Sequence, residues 1–282
     1  MEYTKLNNGM EMPMLGYGVF QIPDEQTAQC VADALSVGYR LIDTAQAYGN
    51  EKGVGEGIKR SGVSRSDIFL VDKVWMSHYD YDGAKASIDR SLQLLGTDYI
   101  DLMLLHQPFG DVYGAYRAMT DAHREGKIHA LGVSNFPADR FIDFASHVEI
   151  APAVNQVEAN VFNQEPGLQK WLDEWGTRMM GWGPLAEGKN GFFTNPVLEA
   201  IGKKYGKSVA QVALRFLLQL GIIIIPKSVK IERMRQNFDL FDFTLDADDM
   251  AAIKKLDTGK PFIIGSHEDP EVVKWFMQFI KD

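Results

Sequence analysis

Short apolar runs alternate with stretches of helical periodicity along the whole chain, and no Pro-, Gly- or Ser-rich linker interrupts them. Strands are predicted at residues 14–18, 39–43, 68–73, 100–106, 128–134, 153–158, 178–182 and 222–226. Helices are readable between them. Asp24 is placed to cap one that runs to Val37, and Ala86, Ile88, Leu92 and Leu95 gather near one face of another. Pro137 suits the first turn of a helix ending near His147, and residues 208–220 form one more. About eight strands, each followed by a helix, in a chain near the typical ~250 residues, predict a (β/α)8 barrel over residues 1–282 as one domain. The nearly continuous apolar character of the strands fits parallel strands buried on both faces. A doubly wound open sheet is the competing fold. Ahead of the first barrel strand, residues 3–6 and 11–13 flank Asn7-Asn8-Gly9, a hairpin signal, and such a hairpin would close the bottom of the barrel.

Composition narrows the function classes. Apolar residues make up 45% and charged residues 24% of the 282, close to the globular average, so neither disorder nor a fibrous repeat fits. The single cysteine, Cys30, leaves no disulfide framework or thiolate metal cluster and fits a reducing compartment. A net charge of −9 disfavours nucleic acid and anionic membrane as partners, without excluding a local basic pocket for one anionic ligand. The polar start, Met1 to Asn8, lacks the apolar core of a signal peptide. The greasiest stretch, 212–226, carries Arg215 and Gln219 and stops at a proline. A cytoplasmic protein is the expectation.

Chemistry gathers at the predicted strand ends. The carboxyl ends carry Asp43, with Tyr48 in the loop beyond, then Lys73, His106, Ser134-Asn135, Gln156, Trp182 and Lys227-Ser228. In a barrel these ends form one rim, where catalytic groups sit. A phenol titrating near 10 is a poor acid at neutral pH. A neighbouring ammonium stabilises its phenolate, and a carboxylate holds that ammonium in place. A histidine beside them can orient a carbonyl oxygen. Asp43, Tyr48, Lys73 and His106 therefore suit proton delivery to a carbonyl that receives a hydride. A hydrolase would instead call for opposed carboxylates or an activated serine.

Rival motifs fail. Gly132-Val133-Ser134-Asn135-Phe136 has Phe136 where a nucleophile elbow needs its second glycine. Gly53-Val54-Gly55-Glu56-Gly57 resembles a dinucleotide fingerprint, but Ile58 takes the last glycine position and the run lies in a helical stretch. No Gly-Lys-Ser/Thr phosphate loop occurs, and the histidines have no zinc-ligand spacing, so no metal is expected.

The residues Asp43-Thr44-Ala45-Gln46-Ala47-Tyr48-Gly49-Asn50-Glu51, Leu104-Leu105-His106-Gln107-Pro108 and Ile225-Pro226-Lys227-Ser228 resemble, in order, three signatures of the aldo-keto reductase superfamily. Gly132-Val133-Ser134-Asn135-Phe136 falls between them, and the likeness covers essentially the whole chain. Residues 106–111 and 184–188 are similar to the bacterial-type branch of 2,5-diketo-gluconate reductases, methylglyoxal reductases and prostaglandin F synthase-like enzymes. The resemblance implies a cytosolic NADPH-dependent reductase of aldehydes and ketones. In it Tyr48 is the general acid, Lys73 and Asp43 lower its pKa, and His106 positions the carbonyl.

For the cofactor, the resemblance implies that Ser134, Asn135 and Gln156 bond the carboxamide and that Trp182 stacks on the nicotinamide. Gly183 and Leu185 would open a strap over the pyrophosphate. Lys227, Ser228, Arg233 and Asn237 would receive the adenosine 2′-phosphate and adenine, favouring NADPH over NADH. Phe20, Trp75, Gln107, Phe109 and the tail near Trp275 are expected to contact a small carbonyl substrate. Asp72 stands where a small hydroxyl residue is more usual, and strand alternation turns it toward the helices. His267 falls in a tail segment with an open role. A monomer is expected. The alternative, a slow NADPH-binding regulatory subunit like the redox-sensing subunits of ion channels, is disfavoured because the first barrel strand begins by about Met14.

Overall fold

The computed structural model describes residues 1–280. Its strands are β1 (Tyr3–Lys5), β2 (Glu11–Pro13), β3 (Tyr17–Gly18), β4 (Leu41–Asp43), β5 (Phe69–Val74), β6 (Ile100–Leu105), β7 (Ile128–Ser134), β8 (Val154–Glu158), β9 (Arg178–Trp182) and β10 (Ile223–Ile224). The helices are α1 (Asp24–Val37), α2 (Glu51–Ser61), α3 (Tyr81–Leu95), α4 (Val112–Arg124), α5 (Ala138–His147), α6 (Pro166–Glu174), α7 (Pro196–Tyr205), α8 (Val209–Gln219), α9 (Ile231–Phe238), α10 (Ala247–Lys254) and α11 (Pro270–Phe276).

Strands β3 to β10 pair in parallel and in chain order. Leu15 bridges Ile224, Gly16 N–H donates to Ile224 O at 2.8 Å, and Ile224 N–H donates to Met14 O at 2.9 Å. These bonds join the two ends of the sheet, so the fold is the (β/α)8 barrel and not the open sheet. They also explain why the predicted strands at 14–18 and 222–226 shrink to two-residue segments: the seam is held by an isolated bridge rather than a full ladder. The strands at 128–134 and 178–182 match the prediction.

Strand alternation sorts the core into two shells. Leu41, Val71, Leu102, Leu104, Val154, Met180 and Ile223 fill the interior, while Ile42, Leu70, Met103, Val133 and Met179 pack against the helices. The hairpin of β1 and β2 sends Leu6 and Met12 into the interior cluster. Its turn is anchored by Asn7 Nδ2 donating to Pro152 O and Asn8 Nδ2 donating to His129 O. The bottom of the barrel is closed as the sequence suggests.

The dinucleotide-like glycine run has a packing role. A Cβ on Gly53 would meet Asp24 O at 2.8 Å, on Gly55 would meet Leu95 O at 2.3 Å, and on Gly57 would meet Ala28 O at 2.7 Å. Helix α2 therefore lies against the backbones of α1 and α3. Asp24, expected to cap α1, instead accepts Gly53 N–H at 2.9 Å, and Pro23 occupies the cap position. In Gly55→Ala the helix-propensity gain of about 1 kcal/mol is outweighed by overpacking against an unyielding carbonyl. A net loss of about 1–2 kcal/mol is expected in the urea-unfolding midpoint.

Candidate active site

On each strand the inward positions are apolar until the carboxyl end. Leu41 precedes Asp43, Val71 precedes Lys73, Leu104 precedes His106, Val154 precedes Gln156 and Met180 precedes Trp182. Residues two apart share a face, so these groups enter the interior one layer above the apolar filling.

Lys73 is wholly buried and makes three contacts. Its Nζ donates to Asp43 Oδ1 at 2.7 Å and to Thr44 O at 2.8 Å, and lies 3.3 Å from the Tyr48 hydroxyl. Asp43 Oδ2 accepts from Gln156 Nε2 at 2.7 Å, so both carboxylate oxygens are engaged. Tyr48 leaves a 3-10 turn (Gln46–Tyr48), and its ring stands edge-on to His106 with centroids 5.7 Å apart. The four residues expected to act together are brought together.

Burial and neighbouring charges set the protonation of two of these groups. Burial holds the Tyr48 phenol above its ordinary value, and Lys73 works against that rise. The Asp43 charge itself pushes the phenol up, so its help is indirect: it fixes Lys73. Burial, followed by the charge of Lys73, holds the His106 imidazole well below its usual range, so the ring is neutral. His106 Nδ1 is buried without a partner. A proton there would be an orphaned donor, so the tautomer carries its proton on Nε2.

A second network runs from this group across the rim. Ser134 Oγ donates to Gln156 O at 2.8 Å, Asn135 Nδ2 donates to His106 O at 3.0 Å, and Trp182 Nε1 donates to Asn135 Oδ1 at 2.9 Å. Asn135 has φ 65°, a left-handed backbone that turns its amide into the rim. A cavity of about 450 Å³ opens beside Asn135 and Trp182, bounded by Trp171 and His267. A larger groove, about 660 Å³, lies outside α4 at Tyr113 and Arg124, away from the strand ends.

Gly183 takes φ 63° at the end of β9, and Leu185 after it is half-buried. Ala186, Glu187 and Asn190 then hold left-handed φ values of 53°, 49° and 53°, an unusual concentration for residues with side chains. Beyond β10, Lys227 in the loop and Arg233 in the first turn of α9 are exposed, whereas Ser228 and Asn237 are buried. Tyr17 donates its hydroxyl to Ser228 O at 2.5 Å, fixing that loop to β3.

The expected substrate contacts divide. Phe20 is exposed and leans on Tyr48 at 4.9 Å between centroids, and Trp75 stands 5.0 Å from His106. Phe109 is buried between His267 and Phe276, so it anchors the C-terminal segment instead of lining an open wall. Gln107 is likewise buried and accepts from His267 Nε2 at 2.9 Å. Burial pulls the His267 imidazole down to about 4. Trp275 packs edge-on against Phe279, which in turn meets Trp75.

Sequence reasoning gave no role to three further residues in the first signature. Asn50 accepts from Thr44 Oγ1 and donates to Val19 O and Ile22 O, which holds the loop around Tyr48 against the segment after β3. Gln46 accepts Trp75 N–H, linking the turn to β5. Their place in the motif was the available signal; their partners lie too far along the chain to be read from it.

Residues 12–258 match the Aldo/keto reductase family. The glyoxal reductase of Bacillus subtilis (strain 168) is 42% identical over 255 residues, covering 90% of this chain and 92% of that protein. The methylglyoxal reductase DkgA of Escherichia coli (strain K12) is 38% identical over 259 residues, 91% of this chain and 94% of that protein. The Bombyx mori aldo-keto reductase solved in complex with NADP superposes with a TM-score of 0.86 at 33% identity, covering 92% of this chain and 93% of that one. With such matches over a closed barrel whose rim unites Asp43, Tyr48, Lys73 and His106, the chain belongs to the aldo/keto reductase family.

Proposed function

We propose that this chain reduces small aldehydes and ketones with NADPH, and that the α-oxoaldehydes for which two relatives are named fall within its range. The observation that carries the reading is the 3.3 Å approach of a buried, carboxylate-held ammonium to the Tyr48 hydroxyl. A phenol so placed stays protonated until a neighbouring oxygen develops negative charge, and Lys73 then stabilises the phenolate left behind. His106, neutral and protonated on Nε2, donates to the carbonyl oxygen and fixes it toward Tyr48. Phe20 and Trp75 narrow the approach and exclude water from it.

The residues present fit a nicotinamide dinucleotide. Trp182 offers a half-buried indole face, steadied by its bond to Asn135, and Ser134, Asn135 and Gln156 offer amide and hydroxyl groups to a carboxamide. Gly183 and Leu185 lead into the left-handed segment placed to cover a pyrophosphate. Exposed Lys227 and Arg233, beside buried Ser228 and Asn237, are a local cationic site on a chain of net charge −9. They suit the adenosine 2′-phosphate. When bound, NADPH supplies the hydride. The single cysteine fits a reducing compartment, and we assign the protein to the cytoplasm. No helix among the described residues is long and apolar enough to cross a membrane.

A screen of methylglyoxal, glyoxal, simple aldehydes and keto-acids, followed by loss of NADPH absorbance, tests the reading. Turnover of at least one class supports it, and no turnover with any of them overturns it. Replacing both Lys227 and Arg233 by alanine is expected to raise the NADPH KM by about 10- to 100-fold, since two exposed, solvent-screened charged contacts together contribute about 1.5–3 kcal/mol. The NADH KM should not move, because NADH lacks the 2′-phosphate.

A further inference from the structure

Behind Lys73, on the face of β5 turned to the helices, Asp72 is wholly buried, and Glu51 at the start of α2 is nearly so. Asp72 Oδ1 accepts the Lys73 amide N–H at 2.8 Å. Its Oδ2 has no donor, and neither has Glu51 Oε1. The Glu51 carboxyl stands within hydrogen-bonding reach of Asp72. Two buried carboxylates facing each other would lose hydration and repel one another. One proton between them satisfies both open oxygens at once. Burial, followed by the Glu51 charge, raises the Asp72 carboxyl well above the usual carboxylate range, in keeping with this.

We propose that Asp72 and Glu51 share one proton as an acid–carboxylate pair that positions Lys73, tying β5 to the start of α2 while keeping a second negative charge away from the ammonium. Lys73 already faces the charge of Asp43 at 2.7 Å. An ionised Asp72 would add a second carboxylate near it and weaken its hold on the Tyr48 phenolate, because the Asp72 charge adds to the upward push of Asp43 on the phenol. With the shared proton in place, the pair carries one charge, at the amino end of α2 where a helix tolerates it.

The other charged and titratable groups around the pair are few. Lys73 flanks it on β5, Tyr48 feels the Asp72 charge from the turn beyond β4, and His78, on the 3-10 turn (Met76–His78), lies near both Glu51 and Arg90 of α3. Burial, followed by the charge of Arg90, lowers the His78 imidazole, so it is neutral near pH 7, and its Nδ1 lies against Gln46 Oε1. Among the described residues neither His78 nor Arg90 bonds to the two open oxygens. The proton is thus left to the two carboxyls. As pH rises and the pair loses it, a second negative charge appears, Tyr48 holds its proton more tightly, and turnover falls.

The inference rests on Lys73 serving Tyr48, and the test separates the two. In Glu51→Gln an amide replaces the carboxylate partner, the single negative charge of the pair is confined to Asp72 beside Lys73 instead of the end of α2, and kcat is expected to fall about tenfold, the effect of moving one charge to short range in a partly polar interior. Adding Asp72→Asn to that variant removes the charge and should restore most of kcat, whereas a packing role predicts that the double variant is the worst of all. Asp72→Asn alone should move the alkaline limb of the kcat profile upward. Independently of turnover, carbon-13 aspartate labelling of the unaltered protein should show one side-chain carboxyl still protonated at pH 7, assigned by its loss in Asp72→Asn. An Asp72 that is ionised at pH 7, or a double variant as impaired as the product of the singles, would overturn the proposal. If Tyr48→Phe kept full turnover, the reading of the site would fall while the protonated carboxyl remained.

Discussion

Tyr48→Phe is expected to lower kcat for carbonyl reduction by about 10²- to 10⁴-fold, the usual contribution of a positioned general acid. The ring survives the change, so its edge contact with His106 and its packing on Phe20 persist, and only the hydroxyl that Lys73 approaches at 3.3 Å is lost. NADPH affinity, followed by quenching of tryptophan emission, should be unchanged, because Tyr48 belongs to neither Ser134-Asn135-Gln156 nor the Lys227–Arg233 site. A loss confined to kcat separates proton delivery from binding. Undiminished turnover would remove Tyr48 from the scheme.

Lys73→Met should damage both stability and turnover, and the two losses can be told apart. Lys73 and Asp43 form a pair only 0% and 2% exposed, so removing the ammonium strands a carboxylate that retains just the Gln156 amide. Breaking such a pair costs about 3–5 kcal/mol, which urea unfolding would register as a large fall in midpoint. Asp43→Asn added to Lys73→Met removes the stranded charge and should recover much of that stability. Turnover should not return, since nothing then stabilises the Tyr48 phenolate. If the double variant regained turnover, the ammonium would not be what Tyr48 depends on.

The barrel was legible because its strands are short apolar runs that end in a change of chemistry. Leu41 gives way to Asp43 and Leu104 to His106 at a spacing of two, which states both strand and facing. Contacts between distant segments were not legible. Gln107 meets His267 across 160 positions, and that contact, with Phe276, draws Phe109 into packing. Asp24 looked like a helix cap because capping is local, yet the Gly53 amide of another helix competes for its oxygen. Alternation correctly turned Asp72 to the helices but could not name Glu51 as what waits there.

The stopper formed by Leu6 and Met12 has a kinetic corollary. With the interior packed by side chains and its lower end covered, small molecules have only the rim of the strand ends to enter and leave by.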